Sequence, residues 1–299
     1  MPPALARPTP EQVLQRLDWH VVRRLDGLLQ GDYRTLFRGA GVDFADLREY
    51  QPTDDARYID WNVTARMRTP YVREYLEDRE LTAWALLDRS PSMAFGTDEF
   101  SKGRMLTDVV ATLAHLLTRR GNRFGAILYN NVVEETIPPR SGRRHVLRLT
   151  HELMKPPPRD GTATDLGGLV RAGLNTIKRR SLVFLVSDFL GEAGWERALP
   201  LLARRHDVVA IRLWDPREVE FPDVGLIVLE DSETGEQISV DTSDPVLRQA
   251  LTASAREREA RIAAAFRQAG VEGFDISTDE DLVGALVRLA AQRKQRVRR

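Results

Sequence analysis

Three oxygen-bearing side chains follow an apolar run in the segment LLDRSPSMAFG, which covers residues 86–96. Asp88 ends the run, and Ser90 and Ser92 follow it at alternate positions. A carboxylate and two hydroxyls at this spacing could bind a hard cation, or they could cap a local turn or helix. A nucleophilic serine is disfavoured, because the glycines of a Gly-x-Ser-x-Gly turn are missing around Ser90.

Two further polar segments lie in similar positions along the chain. Asp188 follows the apolar run LVFLV, and DGTATD (residues 160–165) precedes a helical pattern that starts near Leu166. In a parallel sheet, all three segments would meet at the edge formed by the carboxyl ends of the strands. Two carboxylates together with the hydroxyls of Ser90, Ser92 and Thr162 suit Mg²⁺ better than a soft metal.

The elements that must position these residues are predicted by hydrophobic periodicity. Short apolar runs alternate with amphipathic segments from Leu81 onward, which is typical of βα units on a parallel sheet. The predicted strands are Leu81 to Leu87, Phe124 to Tyr129, Val132 to Ile137, Leu182 to Val186, and Val208 to Trp214. Asn130-Asn131 resembles a hairpin turn, so Val132 to Ile137 is expected to be an antiparallel edge strand. We therefore expect an α/β fold with a doubly wound, mostly parallel sheet and helices on both faces.

The chain after residue 216 predicts a hairpin, a helix, a strand and a last helix. The hairpin turns at Glu233-Thr234-Gly235, and the first helix begins at Ser243-Asp244-Pro245. Gly273 to Ser277 reads as a strand, and Thr278 with Asp281 three residues later is an acidic form of the capping box.

The first 80 residues differ from the rest. A helical pattern from Glu11 to Leu29 precedes a charged, aromatic stretch from Gly31 to Glu80. We expect three parts: residues 1–80 with a helix and a small β-containing region, residues 81–216 with the main sheet, and residues 217–299 with C-terminal elements packed on the same core.

Composition narrows the possible functions. The 299 residues include no cysteine, and 44 basic residues balance 44 acidic ones, so thiol chemistry is excluded and no net field attracts nucleic acid. The sequence shows no secretory signal and no apolar run long enough for a bilayer, so we expect a cytoplasmic protein without a membrane span. Only the tail RKQRVRR is basic, which keeps nucleic-acid or membrane docking as a minor hypothesis.

Enzymatic interpretations are weaker. The five histidines form no His-x-x-x-His pair, and the chain has no Gly-x-x-x-x-Gly-Lys-Ser/Thr loop for ATP. A metal-dependent phosphatase using the same Asp, Ser and Thr residues stays open as an alternative, although the sequence indicates no general base or lysine beside the loops.

The segments DRSPS, GTATDL and LVSD, in that order, resemble the metal-ion-dependent adhesion site (MIDAS) of von Willebrand factor A domains. The resemblance covers roughly Leu81 to Trp214. It implies that Asp88, Ser90, Ser92, Thr162 and Asp188 bind Mg²⁺, with Mn²⁺ or Ca²⁺ as possible substitutes. It also implies an open coordination position for a carboxylate from a client protein.

The preceding stretch, GVDFADLREYQPTDDARYIDWNVTARMRTPYVREYLEDRE, is similar to a bacterial family of unknown function associated with MoxR-type AAA+ ATPases. This resemblance implies that the chain is a non-enzymatic adaptor or substrate-recognition partner of such an ATPase, in remodelling or maturation of protein complexes.

The segment Asp54 to Trp61 within that stretch has its own pattern. Asp54, Asp55, Arg57 and Asp60 lie close enough for an arginine to bridge carboxylates, while Trp61 and its apolar neighbours could serve as anchors. We expect a structural ion-pair network, with a binding surface as the alternative.

Overall fold

The computed structural model describes residues 8–29, 47–51, 54–56, 59–67, 69–73, 81–97, 100–157, 164–191, 194–219, 223–230 and 236–297. The strands are β1 Leu47–Glu49, β2 Tyr71–Arg73, β3 Thr82–Asp88, β4 Arg123–Asn130, β5 Val132–Arg140, β6 Leu182–Ser187, β7 Asp207–Trp214, β8 Leu226–Glu230, β9 Gln237–Asp241 and β10 Glu272–Ser277. The α-helices are α1 Pro10–Leu17, α2 Arg23–Leu29, α3 Trp61–Met67, α4 Lys102–Thr118, α5 Arg143–Met154, α6 Leu166–Thr176, α7 Trp195–Arg205, α8 Pro245–Ala269 and α9 Leu282–Val297.

A six-stranded sheet forms the centre of the described chain, in the order β10-β7-β6-β3-β4-β5. Neighbouring strands are parallel except for β5, which runs antiparallel to β4. The predicted α/β fold with a mostly parallel sheet is therefore confirmed. So is the antiparallel edge hairpin, whose turn residue Asn131 has a φ of 56°, a conformation that asparagine tolerates better than most residues.

Both faces of the sheet are covered because its central strands are apolar on both sides. Along β3, Ala83, Ala85 and Leu87 pack into one core with side chains of α1, α4, α5 and α9. Trp84 and Leu86 point the other way, into a second core with side chains of α6, α7 and α8.

The predicted N-terminal helix exists but is not uniform. Between α1 and α2 the chain makes a π-helical turn over Asp18–Val22, so the helical path from Pro10 to Leu29 is continuous with a wider turn in its middle. A capping box between Thr9 and Gln12 begins α1. This N-terminal helical segment contributes Val13, Leu17 and Val22 to the first core.

The C-terminal elements confirm most of the predicted order. β8 and β9 form the expected antiparallel hairpin, while its turn, Glu233 to Gly235, lies outside the described residues. Asp244 caps α8 by accepting from the amide of Val246, with Pro245 in the first turn as predicted. β10 pairs in parallel with β7 and so extends the main sheet.

One predicted cap is wrong. The last helix, α9, begins at Leu282, and Asp281 accepts a hydrogen bond from the amide of Gly284, so Thr278 is too far upstream to cap it. The Thr278 hydroxyl instead donates to the carboxylate of Asp215, 2.6 Å away, at the end of β7. Thr278 thus binds a residue distant in the sequence instead of capping the helix that follows it.

The N-terminal β-containing region consists, where described, of the antiparallel pair β1 and β2 beside α3. Asp60 is buried and begins α3 by accepting from the amides of Asn62 and Val63. Trp61 is 69% exposed, so its predicted role as an apolar anchor is wrong: helix formation turns it to solvent. Arg57, the proposed centre of the ion-pair network, lies outside the described residues.

Within the described ranges, no helix combines the length and the apolar character that crossing a bilayer requires.

Candidate functional site

Two neighbouring parallel strands bring the predicted acidic residues to the same edge of the sheet. β3 and β6 pair in register, with Leu87 opposite Val186, so Asp88 at the end of β3 lies beside Ser187 at the end of β6. The Ser187 hydroxyl donates to Asp88 Oδ2 over 2.6 Å. The two strand ends are thus joined through a buried hydrogen bond.

The loop after β3 folds back on its own carboxylate. The Ser90 amide donates to Asp88 Oδ1 over 2.9 Å, and Pro91 then begins a 3₁₀ turn over Pro91–Ala94. The hydroxyls of Ser90 and Ser92 lie 3.0 Å apart. Asp88, Ser90 and Ser92, three of the predicted ligands, are therefore close together and buried.

Within the part of the chain that the structure describes, the charge of Asp88 is poorly compensated. The residue is 1% exposed, and the described donors that contact its carboxylate are neutral: the amide and hydroxyl of Ser90 and the hydroxyl of Ser187. Burial, followed by repulsion from Asp188, raises the pKa of Asp88 to about 6, although the hydrogen bonds from Ser187 and Ser90 oppose that rise. Asp88 is a buried anion without a cationic partner among the contacts described.

Asp188 has a different environment. Its Oδ1 accepts from the amide of Leu190 over 3.0 Å, and its Oδ2 accepts from Lys102 Nζ over 2.6 Å. Lys102 begins α4, is fully buried, and also contacts Glu218 Oε1 at 2.6 Å. Burial alone would lower the pKa of Lys102, but attraction to Asp188 and Glu218 outweighs it, so the pKa is raised and the ammonium stays charged.

The expectation that no lysine lies beside the loops is therefore wrong. Lys102 follows Asp88 by fourteen positions and sits behind a serine, where the sequence resembles an ordinary helix start. Ser101 does cap α4, by accepting from the amide of Arg104. The helix start was visible in the sequence, but the burial of the next residue was not.

The second predicted loop is described only at its end. Thr162 lies outside the described residues, whereas Thr164 is buried and Asp165 caps α6 by accepting from the amide of Gly168. The backbone of Thr164 packs closely on the third loop: a Cβ placed on Gly191 would come within 2.5 Å of the Thr164 carbonyl oxygen. This loop thus ends next to the loop that follows Asp188, as a converging site requires.

Arg89 anchors the first loop from the other side. Its guanidinium is 8% exposed, donates to Glu134 Oε2 of β5 over 2.5 Å, and also donates to the carbonyl of Lys155. Burial lowers the pKa of Arg89, against the attraction of Glu134. Arg89 therefore ties the Asp88 loop to the edge hairpin and to the end of α5.

A cleft of about 690 Å³ reaches the site from solvent. It runs between α1, the start of α4 and the end of α5, and its lining includes Asp88, Ser90, Met93 and Pro157. Two of the predicted ligand residues, Asp88 and Ser90, thus line a surface opening, although each is only 1% exposed.

This donor set fits a hard cation. Among the described residues, no three His, Cys, Asp or Glu side chains gather into a metal-binding group, so an ion here would rely on two carboxylates and on hydroxyls. Oxygen donors of this kind suit Mg²⁺. Among the described residues Asp88 has neutral hydrogen-bond donors only, and a bound cation would balance its charge.

Comparison with known proteins gives a family for this chain. The model of the family described as "Protein of unknown function DUF58" matches residues 46–261. The uncharacterized protein Rv1480 of Mycobacterium tuberculosis (strain ATCC 25618 / H37Rv) is 36% identical over 302 residues, which cover 98% of this chain and 94% of the relative. The uncharacterized protein MAV169 of Mycobacterium avium is 35% identical over 160 residues, covering 53% of this chain and 94% of that protein.

Two solved structures show partial likeness. BatB from Bacteroides thetaiotaomicron has 13% identity and a TM-score of 0.44, over 72% of this chain and 99% of BatB. An aerotolerance-related membrane protein from Bacteroides fragilis NCTC 9343 has 13% identity and a TM-score of 0.45, over 72% of this chain and 99% of the other. At these scores the likeness carries no argument about function.

Proposed function

This chain belongs to the DUF58 family of proteins of unknown function, and we propose that it is a Mg²⁺-dependent protein-binding module rather than an enzyme. Asp88, Ser90, Ser92 and Thr162 would bind the ion, and Asp188 would do so through water. A carboxylate from a client protein would complete the coordination. Mg²⁺ would supply the electrophilic centre that attracts this carboxylate.

The observation that carries this proposal is the environment of Asp88. A buried carboxylate is costly unless it is paired, and Asp88 contacts neutral donors among the described residues while Asp188 repels it. A divalent cation would offset both the free-energy cost of burying the Asp88 carboxylate and its repulsion from Asp188. The adjacent cleft offers a path for the partner's side chain.

The wider setting rests on the resemblance drawn from the sequence. A von Willebrand factor A-like fold agrees with the sheet order and with acidic loops at the carboxyl ends of β3 and β6. The resemblance to proteins associated with MoxR-type AAA+ ATPases supports a cytoplasmic adaptor, with the ATPase supplying the energy for remodelling a client.

Metal binding is the first test. Isothermal titration with Mg²⁺ and Mn²⁺ should show one site in the wild type and none in Asp88→Ala. Glu11→Gln, which removes an exposed carboxylate in the first turn of α1, is the matched control and should bind as the wild type does. If Asp88→Ala bound the metal as tightly as the wild type, the metal site would lie elsewhere in the protein.

The partner is tested by affinity capture from native lysate, using the wild type and Asp88→Ala in Mg²⁺ and in EDTA. We expect the wild type to retain a MoxR-type AAA+ ATPase or a client in Mg²⁺ but not in EDTA, and Asp88→Ala to retain neither. Identical proteins in every sample would contradict docking through the metal.

A metal-dependent phosphatase is the competing proposal. Lys102 removes the objection that no lysine lies near the loops, but its ammonium is fully buried and holds two carboxylates, so it does not face the cleft as a substrate-binding group would. Turnover of p-nitrophenyl phosphate in Mg²⁺, lost in Asp88→Ala and independent of any ATPase, would favour the phosphatase.

A further inference from the structure

Lys102 is an unusual residue to find completely buried. Its side chain has no solvent exposure, and its ammonium contacts Asp188 Oδ2 and Glu218 Oε1, each at 2.6 Å. An ammonium is removed from water only at a large cost, which close carboxylates must offset. The burial of Lys102 therefore depends on these two carboxylates.

The two carboxylates that Lys102 joins come from different loops. Asp188 follows β6, and Glu218 belongs to the 3₁₀ turn Pro216–Glu218 after β7. Glu218 is itself held in place, because its Oε2 accepts from the amide of Asp215 over 3.1 Å in a capping box. Lys102 therefore connects the start of α4 to two loops, one of which carries a proposed metal ligand.

The charges of four described side chains at this sheet edge can be counted. Asp88, Asp188 and Glu218 contribute three negative charges when ionised, and Lys102 contributes one positive charge. The described cluster then carries −2, which equals the charge that one divalent cation neutralises. Without Lys102 it would carry −3, so it would attract a divalent cation more strongly.

We propose that Lys102 is the resident counter-ion of the metal site: it holds Asp188 and Glu218 in the metal-free protein and weakens the affinity for a divalent cation. This inference rests on the proposed metal-binding function. Its consequence is a site that is stable without metal and that, once loaded, is neutral. A neutral loaded site does not repel an incoming carboxylate, whereas a site of charge −1 would.

Lys102→Met tests the proposal, because methionine fills similar space without the charge. Titration with Mn²⁺ alone should show a dissociation constant at least about tenfold lower than that of the wild type, equivalent to about 1.4 kcal/mol. Lys155→Met is the matched control. It removes another lysine in a salt bridge, with Glu152, that lies by the same cleft but is half exposed, and its Mn²⁺ affinity should equal the wild type's.

Thermal unfolding gives a second readout. Lys102→Met should melt at a lower temperature than the wild type in EDTA, and saturating Mn²⁺ should raise its midpoint by more than it raises the wild type's. The double variant Lys102→Met/Glu218→Gln restores the −2 charge. Its Mn²⁺ affinity should return toward that of the wild type. If Lys102→Met does not fold, Glu218→Gln alone, which brings the cluster to −1 and leaves Lys102 paired with Asp188, should bind Mn²⁺ more weakly than the wild type, and equal affinity would overturn the counter-ion role.

The outcomes separate this inference from the function on which it rests. If the wild type binds Mn²⁺ and Lys102→Met binds it equally or more weakly, the counter-ion role is overturned while the metal site stands. If neither the wild type nor any variant binds Mn²⁺, the proposed metal site fails and this inference fails with it. Tighter binding by Lys102→Met, reversed in the double variant, supports it.

Discussion

Two buried aspartates at the same edge of the sheet have opposite electrostatic environments. Asp88 ends β3 and Asp215 follows β7, and each is 1% exposed. Arg217 donates to both carboxylate oxygens of Asp215, each at 2.7 Å, and Thr278 adds a third side-chain donor. Asp88, in contrast, accepts hydrogen bonds from neutral donors among the described residues and is repelled by Asp188.

The two environments shift the pKa values of the two carboxyl groups in opposite directions. Burial alone would raise the pKa of Asp215, but the hydrogen bonds from Arg217 and Thr278 outweigh it and lower the pKa to about 2. The pKa of Asp88 rises to about 6. A carboxylate that the fold supplies with its own cation stabilises the structure, whereas one left without a cation costs stability and is suited to bind an ion.

The largest effect is expected from Asp88→Asn. The difference between about 6 and the ordinary 3.8 corresponds to a cost of about 3 kcal/mol for ionised Asp88 in the metal-free protein. Because the folded pKa is the higher one, this cost grows as pH rises from about 4 to about 6. In EDTA at pH 7.5, Asp88→Asn should therefore have a larger free energy of unfolding than the wild type. At pH 4 the two proteins should be equally stable. Urea unfolding at both pH values measures the difference.

Glu11→Gln provides the control, since it removes an exposed carboxylate. A stability difference between Asp88→Asn and the wild type that stays constant from pH 4 to pH 7.5 would contradict an uncompensated Asp88.

Binding of Mg²⁺ should offset the free-energy cost of the ionised Asp88 carboxylate. With Mg²⁺ at 100 times its dissociation constant, we expect about 2.7 kcal/mol of stabilisation, a rise in melting temperature of roughly 5 °C. Because Mg²⁺ competes with a proton on Asp88, the rise should be larger at pH 8 than at pH 5. Differential scanning fluorimetry measures both, and a rise that is independent of pH would place the ion away from Asp88.

Asp215→Asn should act in the opposite direction to Asp88→Asn. It removes the charged partner of Arg217, so we expect a loss of about 2 kcal/mol in the free energy of unfolding. Since the folded pKa of Asp215 is the lower one, its contribution is complete above pH 4 and the loss should be constant from pH 5 to pH 8. Urea unfolding at the two values checks this, and a stabilised variant would end the contrast with Asp88.

The smallest effect is expected from Ser187→Ala. It deletes the 2.6 Å hydrogen bond to Asp88 and the 2.8 Å bond from the Phe189 amide to the same hydroxyl, at a combined cost of about 1 kcal/mol. The part due to Asp88 depends on its charge, so the loss should be greater at pH 8 than at pH 5. An equal loss at both values would assign the effect to Phe189 alone.

Short-range patterns in the sequence determined most of the scaffold. The apolar runs located the central strands, Asn130-Asn131 located the edge hairpin, and Asp244 with Pro245 located the start of α8. Asp88 and Asp188 could be assigned to one sheet edge because each directly follows a buried strand. These features depend on periodicity and on neighbours a few positions away, which a sequence shows directly.

Tertiary structure alone decided which polar groups compensate one another. Lys102 meets partners 86 and 116 positions away, and Thr278 leaves its expected helix for Asp215, 63 positions away. Trp61, which looked like an anchor, is exposed. Such pairings depend on which strand ends and helix starts are adjacent in space, and a buried ion pair leaves no periodic pattern in the sequence by which it could be recognised.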